Sequence, residues 1–204
     1  MKQVDKTAYQ FLSYAHPGRF VSYYHQLAEL LALNPENVLE IGVGDGVFRD
    51  YIKNNTNIPY TSVDVADDIR PDVVGDVTKL PFQDETFDVV CAFEVLEHIP
   101  FEQFERALSE LSRVSTRAVV LSLPHFGPPV KFLLKLPFLH EISFAFKIPF
   151  ARKHVFNGQH YWEIGKRGYS QSRIRSIIEK YFVIEKEFVP FENQYHHFFI
   201  LKNK

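Results

Sequence analysis

The stretch Val38-Leu39-Glu40-Ile41-Gly42-Val43-Gly44-Asp45-Gly46 constrains this chain more than any other. Val38, Leu39 and Ile41 read as a buried strand, and glycines at alternate positions then break it. Val47, Phe48, Tyr51 and Ile52 continue at helical spacing. A strand, a glycine turn and a helix in that order aim backbone N–H groups and a helix N-terminus at a ligand. Glycine suits such a turn because a Cβ would block close approach and because some turn positions need positive φ. The dinucleotide fingerprint G-x-G-x-x-G fits poorly, since its third glycine falls on Val47 and Gly46 comes one residue early. The plain alternative is a tight strand-to-helix turn that holds nothing.

The rest of the chain alternates in the same way. Strands are expected at 38–42, 60–63 (closing on Asp64), 73–74, 87–93 and 118–123. Helices are expected at 19–33, 47–53, from Pro100 through Val114, and near 171–181. In the 19–33 helix, Phe20, Tyr24, Leu27 and Leu31 share one face. Two late strands, 182–189 and 196–201, flank a turn and would pair antiparallel. Strands alternating with helices argue an α/β fold with a doubly wound, mostly parallel sheet. At 204 residues the chain reads as a single domain, 1–204, with N-terminal helices at 7–33 and an insertion at 126–156.

Open parallel sheets bind ligands beyond the carboxyl ends of their strands. Here the second strand ends in Asp64, the third in Gly75-Asp76 and the fourth in Phe93-Glu94. An ionised carboxylate accepts two hydrogen bonds, which matches a vicinal diol. One acidic strand end is common in any protein, whereas three in succession after a glycine turn form a pattern.

These residues carry a resemblance. Glu40-x-Gly42-x-Gly44-x-Gly46 resembles motif I of the class I S-adenosylmethionine (SAM) dependent methyltransferases. Asp76-Val77, Leu80-Pro81-Phe82, Phe87-Asp88-Val89-Val90 and Leu96-Glu97-His98 follow in the order seen in the methyltransferases typified by ubiquinone-biosynthesis enzymes, over about 36–124. The resemblance implies a seven-stranded Rossmann-like sheet with an antiparallel C-terminal hairpin, and S-adenosyl-L-methionine as cofactor. It implies that Glu40, Gly42, Gly44, Asp45 and Gly46 cradle the methionine end. Asp64 would hold the ribose diol, and Val65 would pack on the adenine. Asp76 and Val77 would meet the adenine edge, and Phe93 and Glu94 would line the cofactor beside the transferred methyl. His98 would anchor its loop.

A sulfonium is already an activated methyl donor, so the protein must mainly align the nucleophile with the S–CH₃ bond. For a hydroxyl acceptor a base helps, and the candidates are His125, favoured because it ends the fifth strand facing the cleft, and His160. His160 sits in Gly158-Gln159-His160-Tyr161-Trp162-Glu163-Ile164-Gly165, which, with Gly168-Tyr169, resembles segments in methyltransferases of bacterial surface-glycan biosynthesis. No metal is expected: His196 and His197 are adjacent and point to opposite sheet faces, and no His/Asp/Glu spacing resembles a zinc site. Nucleic acid is not an expected partner, because the net charge is only −2 and Phe93-Glu94-Val95-Leu96 replaces the Asn/Asp-Pro-Pro-aromatic motif of the nucleic-acid amino-methyltransferases. The expected reaction is methylation, at oxygen, of a small-molecule, lipid-linked or sugar acceptor. The alternatives are carbon methylation of a quinone-like ring and a SAM-binding partner subunit without catalysis.

The insertion 126–156 holds seven of the twenty phenylalanines (126, 132, 138, 144, 146, 150 and 156). Its five cations, Lys131, Lys135, Lys147, Arg152 and Lys153, oppose only Glu141, a net +4 that leaves −6 elsewhere. Such a segment suits a lid over the active site, a peripheral contact with an anionic membrane, or a homodimer contact, and the lid is favoured. The acceptor pocket is expected between this segment and Tyr14, His16 and Arg19. Met1-Lys2-Gln3-Val4-Asp5-Lys6 leads into no apolar leader, and the single cysteine, Cys91, suits a reducing compartment. A cytoplasmic protein, with membrane association through the insertion left open, is therefore expected.

Overall fold

The computed structural model describes residues 6–148, 150 and 152–204. The opening Met1-Lys2-Gln3-Val4-Asp5 and residues 149 and 151 of the insertion lie outside them. Along the chain run α1 (Phe11–Tyr14), α2 (Pro17–Ala32), β1 (Val38–Ile41), α3 (Val47–Asn55), β2 (Tyr60–Asp64) and β3 (Val73–Val74). β4 (Phe87–Phe93), α4 (Phe104–Val114) and β5 (Ser115–Pro124) follow. The chain then forms β6 (Pro129–Leu134), β7 (Ile142–Lys147), α5 (Gln171–Ile178), β8 (Phe182–Phe188) and β9 (His196–Asn203).

Seven strands make one sheet in the order β3-β2-β1-β4-β5-β9-β8. The first five are parallel, and β9 runs antiparallel between β5 and β8. The order reverses between β1 and β4, the crevice where an open α/β sheet places its ligand. Alternate strand residues feed two cores. Leu39, Ile41, Val90, Ala92 and Leu121 pack under α4 and α5, while Val38, Val89, Cys91 and Val120 pack under α2 and α3. Burial on both faces explains why β1, β4 and β5 read as nearly continuous apolar runs.

One expectation is corrected at α2. Its buried residues are Ser22, Tyr23, Gln26 and Leu30, whereas Phe20, Tyr24 and Leu31 are exposed. Polar anchors set this rotation. Asn193 Nδ2 donates to Ser22 Oγ at 2.9 Å and to the Gly18 carbonyl at 3.0 Å, and the Tyr23 hydroxyl donates to Asp45. An apolar periodicity count cannot see such bonds.

The insertion forms a separate two-stranded antiparallel sheet, with Pro129 opposite Lys147 and Leu134 opposite Ile142. Every residue of β6 is exposed, and Phe132 stacks on Phe144 with ring centroids 5.2 Å apart. No helix among the described residues is long and apolar enough to cross a membrane.

Candidate active site

The carboxyl edge of the sheet begins at the glycine turn. Gly42, at φ +81°, donates its N–H to the Val63 carbonyl at 2.9 Å. A Cβ there would lie 2.4 Å from Val95 Cγ2, so the turn and the loop after β4 close against each other only through glycine. Gly44, at φ +57°, differs: a Cβ there would meet nothing nearer than the Tyr14 hydroxyl at 4.0 Å. Gly44 therefore borders open space, as a cradle for a ligand requires.

Acidic groups surround that space. Asp64 Oδ2 accepts the Val43 N–H at 3.0 Å and Oδ1 accepts the Ala66 N–H at 2.8 Å, so one carboxylate ties the turn to the end of β2. Burial raises its pKa against the pull of those amides. The Gly75 N–H donates to the Asp64 carbonyl at 2.9 Å, which sets Asp76 beside it. Asp76 Oδ1 accepts from the Thr78 N–H (2.8 Å) and hydroxyl (2.7 Å). Val77 is buried and Val65 is exposed. Asp45 receives the Tyr23 hydroxyl and, on Oδ1, the Val47 N–H at 3.3 Å.

Glu40 lies beneath the turn on β1, only 2% exposed, and accepts from the Tyr60 hydroxyl. Burial pushes its carboxyl up to about 8. Phe93 packs edge-on against Phe48 at 5.1 Å. Glu94, at φ +54°, accepts from Ser122 Oγ at 2.8 Å and stands 3.7 Å from His196 Nε2; burial pushes it to about 8 as well. The N-terminal residues arch over this edge. Arg19 donates to the Tyr14 hydroxyl at 2.8 Å, and Tyr9 meets the Tyr14 ring edge-on at 4.9 Å.

A cleft of about 420 Å³ opens beside Gly44, lined by Tyr9, Asp45, Arg49, Asp68 and Ile69. A larger one, about 980 Å³, lies away from the turn and is lined by His125, Phe146, Lys147, Arg167, Arg173 and His197 among others. Of the residues expected to hold a cofactor, Gly44 and Asp45 line the smaller cleft, whereas Asp64, Asp76, Phe93 and Glu94 do not.

The two candidate histidines sit on neighbouring segments but in different surroundings. His125 pairs with Ile164 in a parallel bridge, which lays the 158–165 segment along the end of β5. Its Nδ1 lies 2.9 Å from His197 Nδ1, and burial, aided by Lys147, pushes it down to about 3. His160 Nδ1 stands 3.3 Å from Glu163 Oε1 and 3.5 Å from the Tyr195 hydroxyl, while Nε2 faces Glu97 Oε1 at 3.9 Å. Trp162 anchors this segment, fully buried at 4.8 Å from Phe104 and 5.1 Å from Phe101.

Sequence reasoning passed over Glu97, Glu163, Tyr195 and His196 as functional residues. The register of β5 on β9 puts His197 opposite Leu123 and His196 opposite Pro124, and no sequence spacing announces it. As expected from their adjacency, the two rings diverge: His196 faces Glu94 and His197 reaches Glu187 at 2.9 Å.

Residues 39–121 match the family described as a methyltransferase domain. A phthiotriol/phenolphthiotriol dimycocerosates methyltransferase 1 of Mycobacterium ulcerans (strain Agy99) is 31% identical over 111 residues, covering 46% of this chain and 39% of that one. The chain thus spans well under half the length of this curated relative. Among solved structures, a 1,6-didemethyltoxoflavin-N1-methyltransferase of Burkholderia thailandensis, with 1,6-didemethyltoxoflavin and S-adenosylhomocysteine bound, superposes with a TM-score of 0.62 at 16% identity, covering 95% of this chain and 85% of that one. The N-methyltransferase NodS of Bradyrhizobium japonicum WM9, with S-adenosyl-L-homocysteine bound, gives 0.60 at 13% identity over 92% and 88%. The matched stretch holds β1, the glycine turn and β4, so residues 39–121 are similar to a methyltransferase domain, and the sheet that carries them has the Rossmann-like fold of methyltransferases crystallised with S-adenosylhomocysteine.

Proposed function

We propose that the protein transfers a methyl group from S-adenosyl-L-methionine to a hydroxyl oxygen of a small, lipid-linked or sugar-linked acceptor. The observation that carries this reading is the open cradle at Gly44, where Asp64 holds the Val43 N–H and Val95, two residues before Glu97, closes against Gly42. The cofactor supplies an activated methyl, so the chain's own task is to bind, orient and exclude water. Glu40, Gly42, Gly44, Asp45 and Gly46 take the methionine end, Asp64 the ribose diol, Val65 one adenine face, and Asp76 and Val77 the adenine edge. Phe93 and Glu94 line the transferred methyl.

A hydroxyl acceptor must lose its proton as the new O–C bond forms. We place that loss at His160 rather than His125, because a histidine held down near 3 is a weak proton acceptor at neutral pH. The β6–β7 hairpin then serves as a lid on the acceptor side, with Phe146 and Lys147 already lining the larger cleft beside His125. Its exposed apolar faces suit an amphiphilic acceptor and a peripheral contact with an anionic membrane. The curated relative's name concerns lipid substrates, and the toxoflavin enzyme holds a small heterocycle.

The test is methyl transfer from labelled cofactor into a panel of hydroxyl, amine and carbon acceptors, run beside a chain lacking 128–150. Expected are labelled ethers from the full chain, none from the shortened one, and S-adenosylhomocysteine affinity within threefold in both. Label in carbon products instead, or normal turnover by the shortened chain, refutes the oxygen acceptor or the lid respectively.

A further inference from the structure

The loop after β4 and the segment ending in Trp162 meet over the carboxyl edge. The Tyr161 N–H donates to the Glu97 carbonyl at 2.8 Å, and His98 Nδ1 lies 3.1 Å from the Gln159 carbonyl. Within this junction the Glu97 side chain is 0% exposed, and neither of its oxygens has a hydrogen-bond partner. Its carboxylate neighbours are provided for: Glu94 accepts from Ser122, and Glu163 stands beside His160. A buried carboxylate without donors is costly unless it is protonated or meets a cation. Glu97 thus lacks the donor or cation that a buried carboxylate needs.

The two imidazoles beside it are oriented for one. A carbonyl can only accept, so the contact with Gln159 puts the proton of His98 on Nδ1 and the lone pair on Nε2. Glu163 Oε1 does the same for His160, whose Nε2 then faces Glu97. The rings meet edge-on at 5.0 Å, and one ligand atom from each of Glu97, His98 and His160 lies within 4.8 Å of the others. Histidines that bind metal donate their outer N–H to a carbonyl or a carboxylate in this way.

We propose that Glu97, His98 and His160 bind one divalent transition-metal ion of the Zn²⁺ type, with Glu163 and the Gln159 carbonyl orienting the two imidazoles. Two nitrogens and one carboxylate oxygen suit Zn²⁺ and its neighbours better than the all-oxygen shell of Ca²⁺ or Mg²⁺. Bonds of about 2.1 Å at tetrahedral angles put ligand atoms about 3.4 Å apart. The Glu97–His160 gap of 3.9 Å therefore needs to close only slightly. Three protein ligands leave a fourth position open, the mark of catalytic rather than structural sites. Resting on the oxygen-methylation reading above, the open position faces the acceptor, where a cation lowers the pKa of a hydroxyl brought against it. His160 is then a ligand in place of the free base assigned above, and the hydroxyl proton leaves to solvent water as the O–C bond forms.

The experiment is a direct titration. The full chain is freed of metal with chelator, equilibrated with Zn²⁺, passed through gel filtration and assayed for bound metal, and Co²⁺ is used in parallel for its visible absorption. About one equivalent is expected, with affinity at least tenfold lower in Glu97→Gln and in His160→Ala, and about tenfold lower in Glu163→Gln. Retention below a tenth of an equivalent by the wild-type chain overturns the site, and so does unchanged binding in Glu97→Gln. Should Glu97→Gln fail to fold, the wild-type stoichiometry and Glu163→Gln still decide. S-adenosylhomocysteine affinity is measured on the same samples. If it survives while metal binding fails, this inference falls and the cofactor reading stands. If metal binds but hydroxyl transfer is indifferent to its removal, the site stands and its link to the acceptor falls.

Discussion

The glycine turn and the β6–β7 hairpin treat polarity and burial in opposite ways. At the turn, all four residues of β1 are buried, and the Asp45, Asp64 and Asp76 carboxylates each accept two hydrogen bonds. In the hairpin, Phe132 is 45% exposed, Phe144 53% and Phe138 fully so. The turn is specified by its own contacts, as a site for one fixed polar ligand should be. A two-stranded hairpin alone is marginal in water, and exposed aromatic faces mark surface that a ligand, a membrane or another chain covers. The turn thus satisfies its polar groups within the chain, whereas the hairpin leaves its aromatic rings exposed.

The largest effect that sharpens this contrast is expected from Gly42→Ala. Its Cβ would sit 2.4 Å from Val95 Cγ2 at φ +81°, so either the turn or the loop after β4 must move. We expect S-adenosylhomocysteine affinity, measured by calorimetry, to fall by more than about 100-fold while circular dichroism still reports a folded sheet. Near-normal affinity would mean that the turn tolerates slack and that turn and hairpin differ less than drawn here.

Asp64→Ala comes next. It removes the proposed ribose partner and also frees the Val43 N–H. The loss of a charged hydrogen-bond pair predicts about 1–3 kcal/mol, or roughly 5- to 150-fold in cofactor affinity. An unchanged isotherm would withdraw the ribose assignment.

How much of this was legible follows the same division. β1, the glycine turn and the acidic ends of β2, β3 and β4 stand out in sequence because each is local: a short apolar run, alternate glycines, a carboxylate after a strand. The pairing of the late strands was legible too, with β8 antiparallel to β9. The buried face of α2 was not, since Ser22 and Tyr23 turn inward for Asn193 and Asp45, partners set by tertiary structure. The same holds for the cluster at Glu97. Its members are brought together when Trp162 docks on Phe104, and the spacing between Glu97 and His160 in the chain carries no trace of it. The glycine spacing is written within nine residues, whereas the Glu97–His160 contact joins distant ones.

Buried titratable groups give an intermediate effect. Glu40 and Glu94 are raised to about 8 by burial, so each favours folding below its unfolded value near 4.5, and that contribution is lost as pH rises through 8. His98, His125 and His196 are depressed, to about 4, 3 and 3, so their contribution is present above 6.5 and is lost as pH falls toward those values. Melting temperature should therefore peak near neutrality and fall on both sides. Glu40→Gln should flatten the alkaline limb up to about pH 8 by several °C, at about 2–4 °C per kcal/mol, and leave stability below pH 4.5 in place. A variant that kept the wild-type alkaline slope would assign that limb to other groups.

The smallest effect on stability, and the sharpest test of the division, comes from the double variant Phe132→Ser, Phe144→Ser. A core phenylalanine such as Phe104, with 0% exposure, is of the kind whose truncation costs about 3–5 kcal/mol. Phe132 and Phe144 touch chiefly each other, at 5.2 Å, and bury little else. Surface substitutions of this kind fall within about 0.5 kcal/mol, so thermal melting should shift by no more than about 2 °C. Cofactor affinity should hold as well. Transfer to an amphiphilic acceptor, or sedimentation with anionic vesicles, should drop about tenfold, because the aromatic pair gives its binding energy to something outside the chain. A shift of 5 °C or more without loss of acceptor turnover would mean the reverse: that these rings belong to the protein's own core and that the hairpin is as self-sufficient as the turn.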